Sequence, residues 1–237
     1  MKRVVVLTGA GMSAESGIST FRDAGGLWDQ YRVEDVATPE GYKRDPKLVL
    51  DFYNMQRHHL LEVEPNDGHR LVAALEDEYQ VTVVTQNIDN LHEQAGSTHV
   101  IHLHGELMKG TSTWNPNDPR CIVTLNGDIH LGDKAADGSQ LRPFIVWFGE
   151  NVPNITLAEE ACEKTDICII IGTSMNVYPA AGLLYYVPAK AKVYLIDPKP
   201  VDVHSNRSVE VIQKGASEGM RILAEKLLCN KHHSLHV

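Results

Sequence analysis

The stretch TQNIDNLHEQAG, residues 85–96, places Gln86, Asn87 and Asp89 directly after an apolar run. Amide and carboxylate groups at such a place can hydrogen-bond sugar hydroxyls or another amide. Asn87 or Asp89 could equally cap a helix, but doubly wound sheets open their ligand crevice at strand C-termini, and that position favours a site. A little downstream, VIHLHGEL (100–107) alternates His102 and His104 with apolar residues, so on a strand both face one side. An H-x-H pair is more often structural than catalytic, and nearby third and fourth metal ligands are missing. His104 stands before Gly105 at the strand's end, however, and an imidazole titrating near about pH 6.5 suits a general base.

Two glycine loops carry the second kind of chemistry. After RVVVLT come Gly9, Ala10 and Gly11, then Ser13 and Ser16, a turn able to offer backbone N–H groups and a helix N-terminus to phosphate. Arg22 could add a charge-assisted contact. The next glycine after Gly11 is Gly17, so the G-x-G-x-x-G of a hydride-transferring dehydrogenase is absent. Such an enzyme also needs an acidic residue ending a second strand about 20 residues on. Residues 27–37 read LWDQYRVEDVA instead, which is no strand. The second loop, IGTSMNVYPAAG (171–182), ends another strand in Gly172, Thr173 and Ser174, whose small side chains let a nucleotide approach and whose hydroxyls can bond it.

The elements that must position these residues follow from the pattern. Short apolar runs at 3–8, 80–85, 99–104, 166–172 and 192–197 alternate with helical stretches. Near-continuous apolar strands of this kind belong to a parallel sheet buried on both faces, so the predicted class is α/β, doubly wound. Residues 27–79 read as loop and helices, with Pro46 and Asn66 at helix starts. Residues 108–141 are polar and turn-rich without helical period. Both are expected to form a smaller inserted module beside a sheet built from about 1–26, 80–107 and 142–237.

Composition removes other classes. With 237 residues, 43% hydrophobic, the chain suits one compact domain, or a domain with a small satellite, that needs no staples. Against 22 basic residues stand 31 acidic ones, a net charge of −9, which excludes a basic field for nucleic acid but suits a basic peptide partner. The N-terminal apolar stretch stops after Leu7, too short for a signal-peptide core or a membrane span. Cys121, Cys162, Cys168 and Cys229 form no C-x-x-C pair, which argues against a disulfide framework and fits the reduced cytoplasm.

Together, GAGMSAESGISTFRD, TQNIDNLH, HLHGEL, VWFGE and GTSMNVYPAAG, in that order, resemble the sirtuins, in particular bacterial NAD-dependent protein deacylases, across residues 3–228. The resemblance implies a Rossmann-like domain that consumes NAD: the acyl oxygen of an acyl-lysine attacks the ribose carbon, nicotinamide leaves, and water completes the release of lysine and O-acyl-ADP-ribose. By position, His104 would be the base, with Asn87 and Asp89 holding the ribose and the nicotinamide amide and Gln86 on the sugar. Gly9, Ala10, Gly11, Ser13, Phe21, Arg22, Trp28 and Ile88 would surround the rest of NAD. Gly172, Thr173, Ser174, Asp197, Pro198, Lys199 and Ala216 would take its adenosine side. Val146, Phe148, Gly149 and Glu150, with Val177 and Tyr178, would sandwich the acyl-lysine peptide as an added strand.

The chain departs from this family in three places. The usual zinc-binding cysteines are reduced to Cys121, with Ser112 near the first expected position, so no structural zinc is expected and residues 108–141 must fold by packing. The desuccinylase branch pairs a tyrosine with an arginine three residues later and an alanine that enlarges the pocket. Ala24 and Tyr53 match, but the arginine position holds Gln56, with Arg57 one further on and about 100° around a helix. A deacetylase with weaker desuccinylation is the expectation. Asp197 stands where asparagine is usual, and a carboxylate still accepts ribose hydroxyls. A mono-ADP-ribosyltransferase and a non-catalytic NAD sensor are the alternatives; His104 favours deacylation over the transferase, and the sequence leaves the sensor open.

Overall fold

The β-branched runs form the strands that position everything else. In a computed structural model describing residues 1–19, 30–173, 180–201 and 208–232, the main sheet contains β1 (Arg3–Thr8), β2 (Gln80–Thr85) and β3 (Val100–His102). It continues through β7 (Ile167–Ile171), β8 (Lys192–Ile196) and β9 (Val209–Ile212). These six strands run parallel in the order β3-β2-β1-β7-β8-β9. Every residue of β7 is buried, as a central strand covered on both faces requires. Strand β9, from the sequence SVEVIQ, was not among the expected strands; only Ile212 of its four residues is buried, so its apolar signal is weak.

Two cores flank the sheet. On one side Val4, Val6, Val83 and Ile169 pack against Val72 of helix α4 (Asp67–Ala74) and Met220 and Leu223 of α7 (Ala216–His232). On the other, Val5, Leu7 and Ile170 meet Ala158 and Cys162 of α6 (Ile155–Glu163), together with Leu183. The sequence pattern places 67–79 in the smaller module. Instead Val72, Leu75 and Tyr79 lie in the core of the large sheet, because the apolar stripe of α4 points there.

Helices α1 (Val33–Val36), α2 (Pro39–Arg44) and α3 (Pro46–Leu60) form the small module with a three-stranded antiparallel sheet. Its strands are β4 (Gly105–Ser112), β5 (Val123–Thr124) and β6 (Leu141–Ile145), so residues 105–107 and 142–145 belong to the small sheet rather than to the large one. Helix α3 begins as its sequence dictates: the Asp45 carboxylate accepts the Leu48 N–H and Pro46 takes the first position, where its missing donor costs nothing.

The module packs on a core that includes Val36, Val49, Phe52, Leu107, Ile145 and Trp147, and polar side chains brace a smaller nucleus of Leu50, Leu125 and Ile129 beside it. Asn54 of α3 donates from Nδ2 to the Ile129 carbonyl and accepts the Ile129 N–H, both at 3.0 Å. Its Oδ1 also accepts from Arg57 Nη1 at 2.8 Å, and Arg57 Nε donates to the Leu107 carbonyl of β4 at 3.2 Å. At the far end, buried Ser112 gathers the loop: its Oγ accepts the Trp114 and Asn115 N–H groups, donates to Asp137 and meets the Ser139 hydroxyl. The Ser112 and Ser139 hydroxyls hold the Asp137 carboxyl down at about 2. Cys121 is a buried free thiol, and among the described residues no three His, Cys, Asp or Glu side chains gather as a metal site.

Candidate active site

The crevice opens where the chain leaves β1 toward one edge and β7 toward the other, the switch point at which ligands bind in doubly wound sheets. The two loops there interlock. Gly9 N–H donates to the Ile171 carbonyl at 3.1 Å and Gly11 N–H to the Gly172 carbonyl at 2.9 Å. Gly172 has φ +60, and a Cβ on it would lie 2.3 Å from the Met12 nitrogen; a Cβ on Gly11 would lie 2.6 Å from the Gly172 Cα. Only glycine allows this backbone-to-backbone approach.

That packing corrects one expectation. The N–H groups of Gly9 and Gly11 are taken by β7, and the turn is a short 3-10 helix over Ala10–Met12 rather than the start of a long α-helix. Ala10 N–H is left without a partner among the described residues.

Beside this floor, the loop after β2 is tied down at each polar residue. Asn87 donates from Nδ2 to the Gly9 carbonyl at 3.0 Å and to Ser13 Oγ at 3.1 Å, while its own N–H is held by Thr85 Oγ1. Ser13 donates to Asp89 Oδ2 at 2.9 Å, and Asp89 Oδ1 accepts the Leu91 N–H at the start of α5 (Leu91–Gln94). Burial raises the Asp89 pKa against the opposing pull of Leu91 and Ser13. Gln86 Nε2 crosses the crevice to Thr173 Oγ1 at 2.9 Å. Ile88 sits half-buried, its carbonyl accepting the Leu107 N–H and so joining this loop to β4.

His102 and His104 do not share a strand, because β3 stops at His102 and Gly105, with φ +85, turns the chain into β4. Their rings nonetheless address consecutive carbonyls. His102 Nδ1 donates to Asn87 O at 3.2 Å, and its Nε2 meets Glu93 Oε1 at 2.7 Å. Burial lowers its pKa, but the Glu93 carboxylate outweighs that and raises it overall. His104 Nδ1 donates to Gln86 O at 2.9 Å, which leaves Nε2 with its lone pair and no hydrogen bond among the described residues. Burial holds its pKa below the ordinary value, with the Gln86 carbonyl pulling the other way. The Val146 N–H seals the His104 carbonyl from behind.

At this point the comparisons with known proteins decide the family. A family model described as Sir2 family matches residues 9–179. The chain belongs to the Sir2 family. It is 65% identical over 231 residues to an NAD-dependent protein deacylase of Bacteroides thetaiotaomicron, covering 96% of this chain and 99% of that one. Among solved structures, a Sir2 homologue mutant in complex with ADP-ribose superposes with a TM-score of 0.87 at 35% identity, covering 100% of this chain and 95% of that one. A Sir2 complex with a p53 peptide and NAD+ gives 0.76 at 30% identity, covering 94% and 92%.

Other residues expected at a Sir2-type site fall in several environments. Phe21, Arg22, Ala24, Trp28, Ser174, Val177 and Tyr178 lie outside the described residues. Asp197, Pro198 and Lys199 follow β8 at the crevice end of the sheet, with Asp197 accepting the Lys199 N–H at 2.8 Å. Ala216 is buried in the sheet core, so near Gly68 that a Cβ there would meet it at 3.1 Å; its side chain faces the protein rather than the crevice. On the substrate side, Phe148 and Gly149 are exposed. Glu150 turns inward, its carboxylate accepting from Arg142 at 2.8 and 3.1 Å and from the Trp147 N–H, so it shapes the loop rather than facing outward. Tyr53 is buried, Gln56 half-buried, and Arg57 fully buried against β4.

Several residues escaped sequence reasoning. His69, the third residue of α4, accepts the Asn66 N–H on Nδ1 and places Nε2 3.5 Å from Ser13 Oγ. Glu15 accepts the Ser217 N–H and ties the first loop to the start of α7. The N-x-x-H spacing at 66–69 reads as a cap only, and nothing in it signals a neighbour 56 residues away.

Proposed function

We propose that this Sir2-family chain is an NAD-dependent protein-lysine deacylase in which His104 is the general base. The fixed tautomer of His104 carries this reading: the Gln86 carbonyl can only accept, so Nδ1 must hold the proton and Nε2 is free to take one. NAD, when bound, supplies the ribose–nicotinamide bond to be broken and the ADP-ribose that receives the acyl group. The crevice suits it, because Gly9, Gly11 and Gly172 let the two loops close backbone to backbone into a floor that a Cβ at any of the three would force apart. In this reading Asn87, Asp89 and Ser13 fix the ribose and nicotinamide, Gln86 and Thr173 the sugar side, and Asp197–Lys199 the adenosine. By resemblance Phe21 and Arg22 cover the reacting carbon and exclude water. With NAD and acyl-lysine bound and nicotinamide released, His104 Nε2 would be the group placed to accept the proton of the ribose hydroxyl that adds to the imidate carbon.

The protein substrate is an acyl-lysine segment laid along 146–150, with the exposed Phe148 and Gly149 as its platform. The acidic net charge of −9 suits basic sequence around the lysine, and no specific nucleic-acid partner is implied. We favour acetyl over succinyl groups. Arg57, the alternative clamp for an acidic acyl chain, has Nε and Nη1 committed to Leu107 and Asn54. Its remaining Nη2 is sealed from solvent, out of reach of a ligand without rearrangement. We also infer a module that folds without zinc, since Ser112, Asp137 and Ser139 supply one hydrogen-bonded knot and no thiolate set. A cytoplasmic location fits the free cysteines; no described helix is long and apolar enough to cross a membrane.

The test is mass spectrometry of an acetyl-lysine peptide incubated with NAD. Nicotinamide and O-acetyl-ADP-ribose must both appear, and His104→Ala must abolish them while NAD binding stays measurable. Deacetylated product without His104 overturns the assignment, and ADP-ribose on protein in place of free lysine supports the transferase alternative.

A further inference from the structure

We propose that His69 is a positioning residue for the catalytic crevice, dictating that the Ser13 hydroxyl points at Asp89. The inference rests on the deacylase reading and concerns a side chain that this reading leaves unused. His69 is fully buried at the start of α4, behind the first loop. Its hydrogen bonds have a forced direction. The Asn66 N–H can only donate, so Nδ1 of His69 must accept it at 3.2 Å. Burial pushes the imidazole down to about 4, so the ring is neutral and its single proton sits on Nε2, facing Ser13 Oγ.

Ser13 Oγ therefore receives two donors, His69 Nε2–H at 3.5 Å and Asn87 Nδ2–H at 3.1 Å, which fill both its lone pairs. Its own proton is left one place to go, Asp89 Oδ2 at 2.9 Å. Because Asp89 Oδ1 already accepts from Leu91, the carboxylate is held at both oxygens and its orientation is fixed. The same helix start secures the loop around Ser13, as Asn66 Nδ2 donates to the Met12 carbonyl at 2.8 Å and to Ser16 Oγ at 3.1 Å. Without the imidazole donor, the Ser13 hydroxyl gains a free lone pair, can rotate, and releases Asp89 from its set direction.

Three substitutions separate positioning from mere filling of space. His69→Gln offers an oxygen to the cap N–H and an N–H toward Ser13. His69→Met keeps volume and removes both bonds. His69→Asn retains a carbonyl for the cap but is too short to reach Ser13, and it carries the test should His69→Met not fold. On the full chain, with NAD and an acetyl-lysine peptide, kcat and KM for NAD are measured well below each variant's unfolding midpoint. The expected result is a fall in kcat of about tenfold in His69→Met and His69→Asn, the worth of one hydrogen bond, with KM changed much less. His69→Gln should recover most of the loss. Adding Ser13→Ala to His69→Asn should slow the enzyme no further than Ser13→Ala alone. Wild-type kcat in His69→Asn, or losses that multiply with Ser13→Ala, overturns the proposal. Nitrogen NMR of His69 provides a readout independent of turnover: an Nε2–H tautomer is expected, and an Nδ1–H tautomer refutes the chain of bonds. A wild-type protein that releases no nicotinamide sinks the deacylase reading, while the NMR result still judges the bond chain.

Discussion

Asn54→Leu should unfold the small module at far lower stress than the native chain tolerates. The Asn54 amide is 6% exposed and serves three partners: the Ile129 N–H, the Ile129 carbonyl and Arg57 Nη1. Leucine fills similar volume but strands all three in a region where Ile129 and Arg57 are each only 1% exposed. A buried polar group left unpaired costs about 1–3 kcal/mol, so three place the loss at roughly 4 kcal/mol once some relaxation is allowed. For a chain of this size each kcal/mol is worth about 2–4 °C, so the midpoint should fall by roughly 8–16 °C. Asn54→Asp makes the comparison sharp. It keeps the acceptor for the Ile129 N–H, gains charge toward Arg57 and forfeits only the donor to the Ile129 carbonyl, so its loss should be about 1 kcal/mol. Thermal melts read the overall change, and hydrogen exchange over Val123–Gln140 reads whether the module opens before the sheet. Equal midpoints for Asn54→Leu and Asn54→Asp, or native protection of Ile129 in Asn54→Leu, would refute the claim that this amide staples the module.

Other outcomes follow from the site and the buried histidines. Since burial keeps His104 below its ordinary pKa, the acid limb of kcat/KM for NAD should lie on the acid side of the ordinary imidazole range; a basic shift of that limb contradicts the burial argument. The buried His69 and His92 should each cost stability in acid. His69 titrates at about 4 when folded and about 6.5 when unfolded, so it contributes fully above 6.5 and loses about 3 kcal/mol as pH falls through this window. Buried His92 adds to that loss, whereas His102, raised by Glu93, opposes it by stabilising the fold at low pH; urea midpoints at pH 7.5 and 4.5 give the net sign. Gln56→Arg should raise the succinyl-to-acetyl ratio of kcat/KM by about tenfold or more, as a charged clamp replaces a neutral one, and an unchanged ratio removes position 56 from acyl selection. Elemental analysis of the purified protein should find no stoichiometric zinc, and chelator should leave the melting temperature unmoved.

The parts of this molecule that were legible in its sequence are those where local chemistry and global role coincide. RVVVLT, QVTVVT and DICIII are apolar on both faces because their strands are buried on both faces, and Asp45–Pro46 and Asn66 announce helix starts by the same groups that cap them. Signals weakened wherever an element faces water or a distant partner. Only Ile212 of β9 is buried, and β5 is exposed at both residues, so neither shows the alternation that marks a strand. The helix at 67–74 has an unambiguous amphipathic stripe, but a stripe does not say which of two cores it meets. The site shows the same divide. His104, Asn87 and Asp89 stand at strand ends, where position alone argues for function. His69 reaches Ser13 across 56 residues of chain, and Gly11 meets Gly172 backbone to backbone, so both contacts exist only after the sheet brings β1, β7 and α4 together.

This order of assembly bears on how the crevice achieves its geometry. Among the described residues, those that would touch NAD sit on loops pinned to a rigid element behind them: Gly9 and Gly11 to the end of β7 and Gly172, Asn87 and His104 to neighbouring backbone carbonyls, and Ser13 through His69 to the cap of α4. A mobile loop would have to order these groups each time it bound, at about 1–2 kcal/mol per residue. For these residues the ordering is completed on folding, supported by the two cores of the sheet, one of which takes in Met12 of the first loop. A substitution such as Gly172→Ala therefore strikes the site through the fold. Its Cβ would lie 2.3 Å from the Met12 nitrogen at a φ that disfavours alanine, so the β1 and β7 loops must part. Binding of NAD should then suffer, and because Met12 beside this floor is itself buried in a core of the sheet, the melting temperature should fall with it.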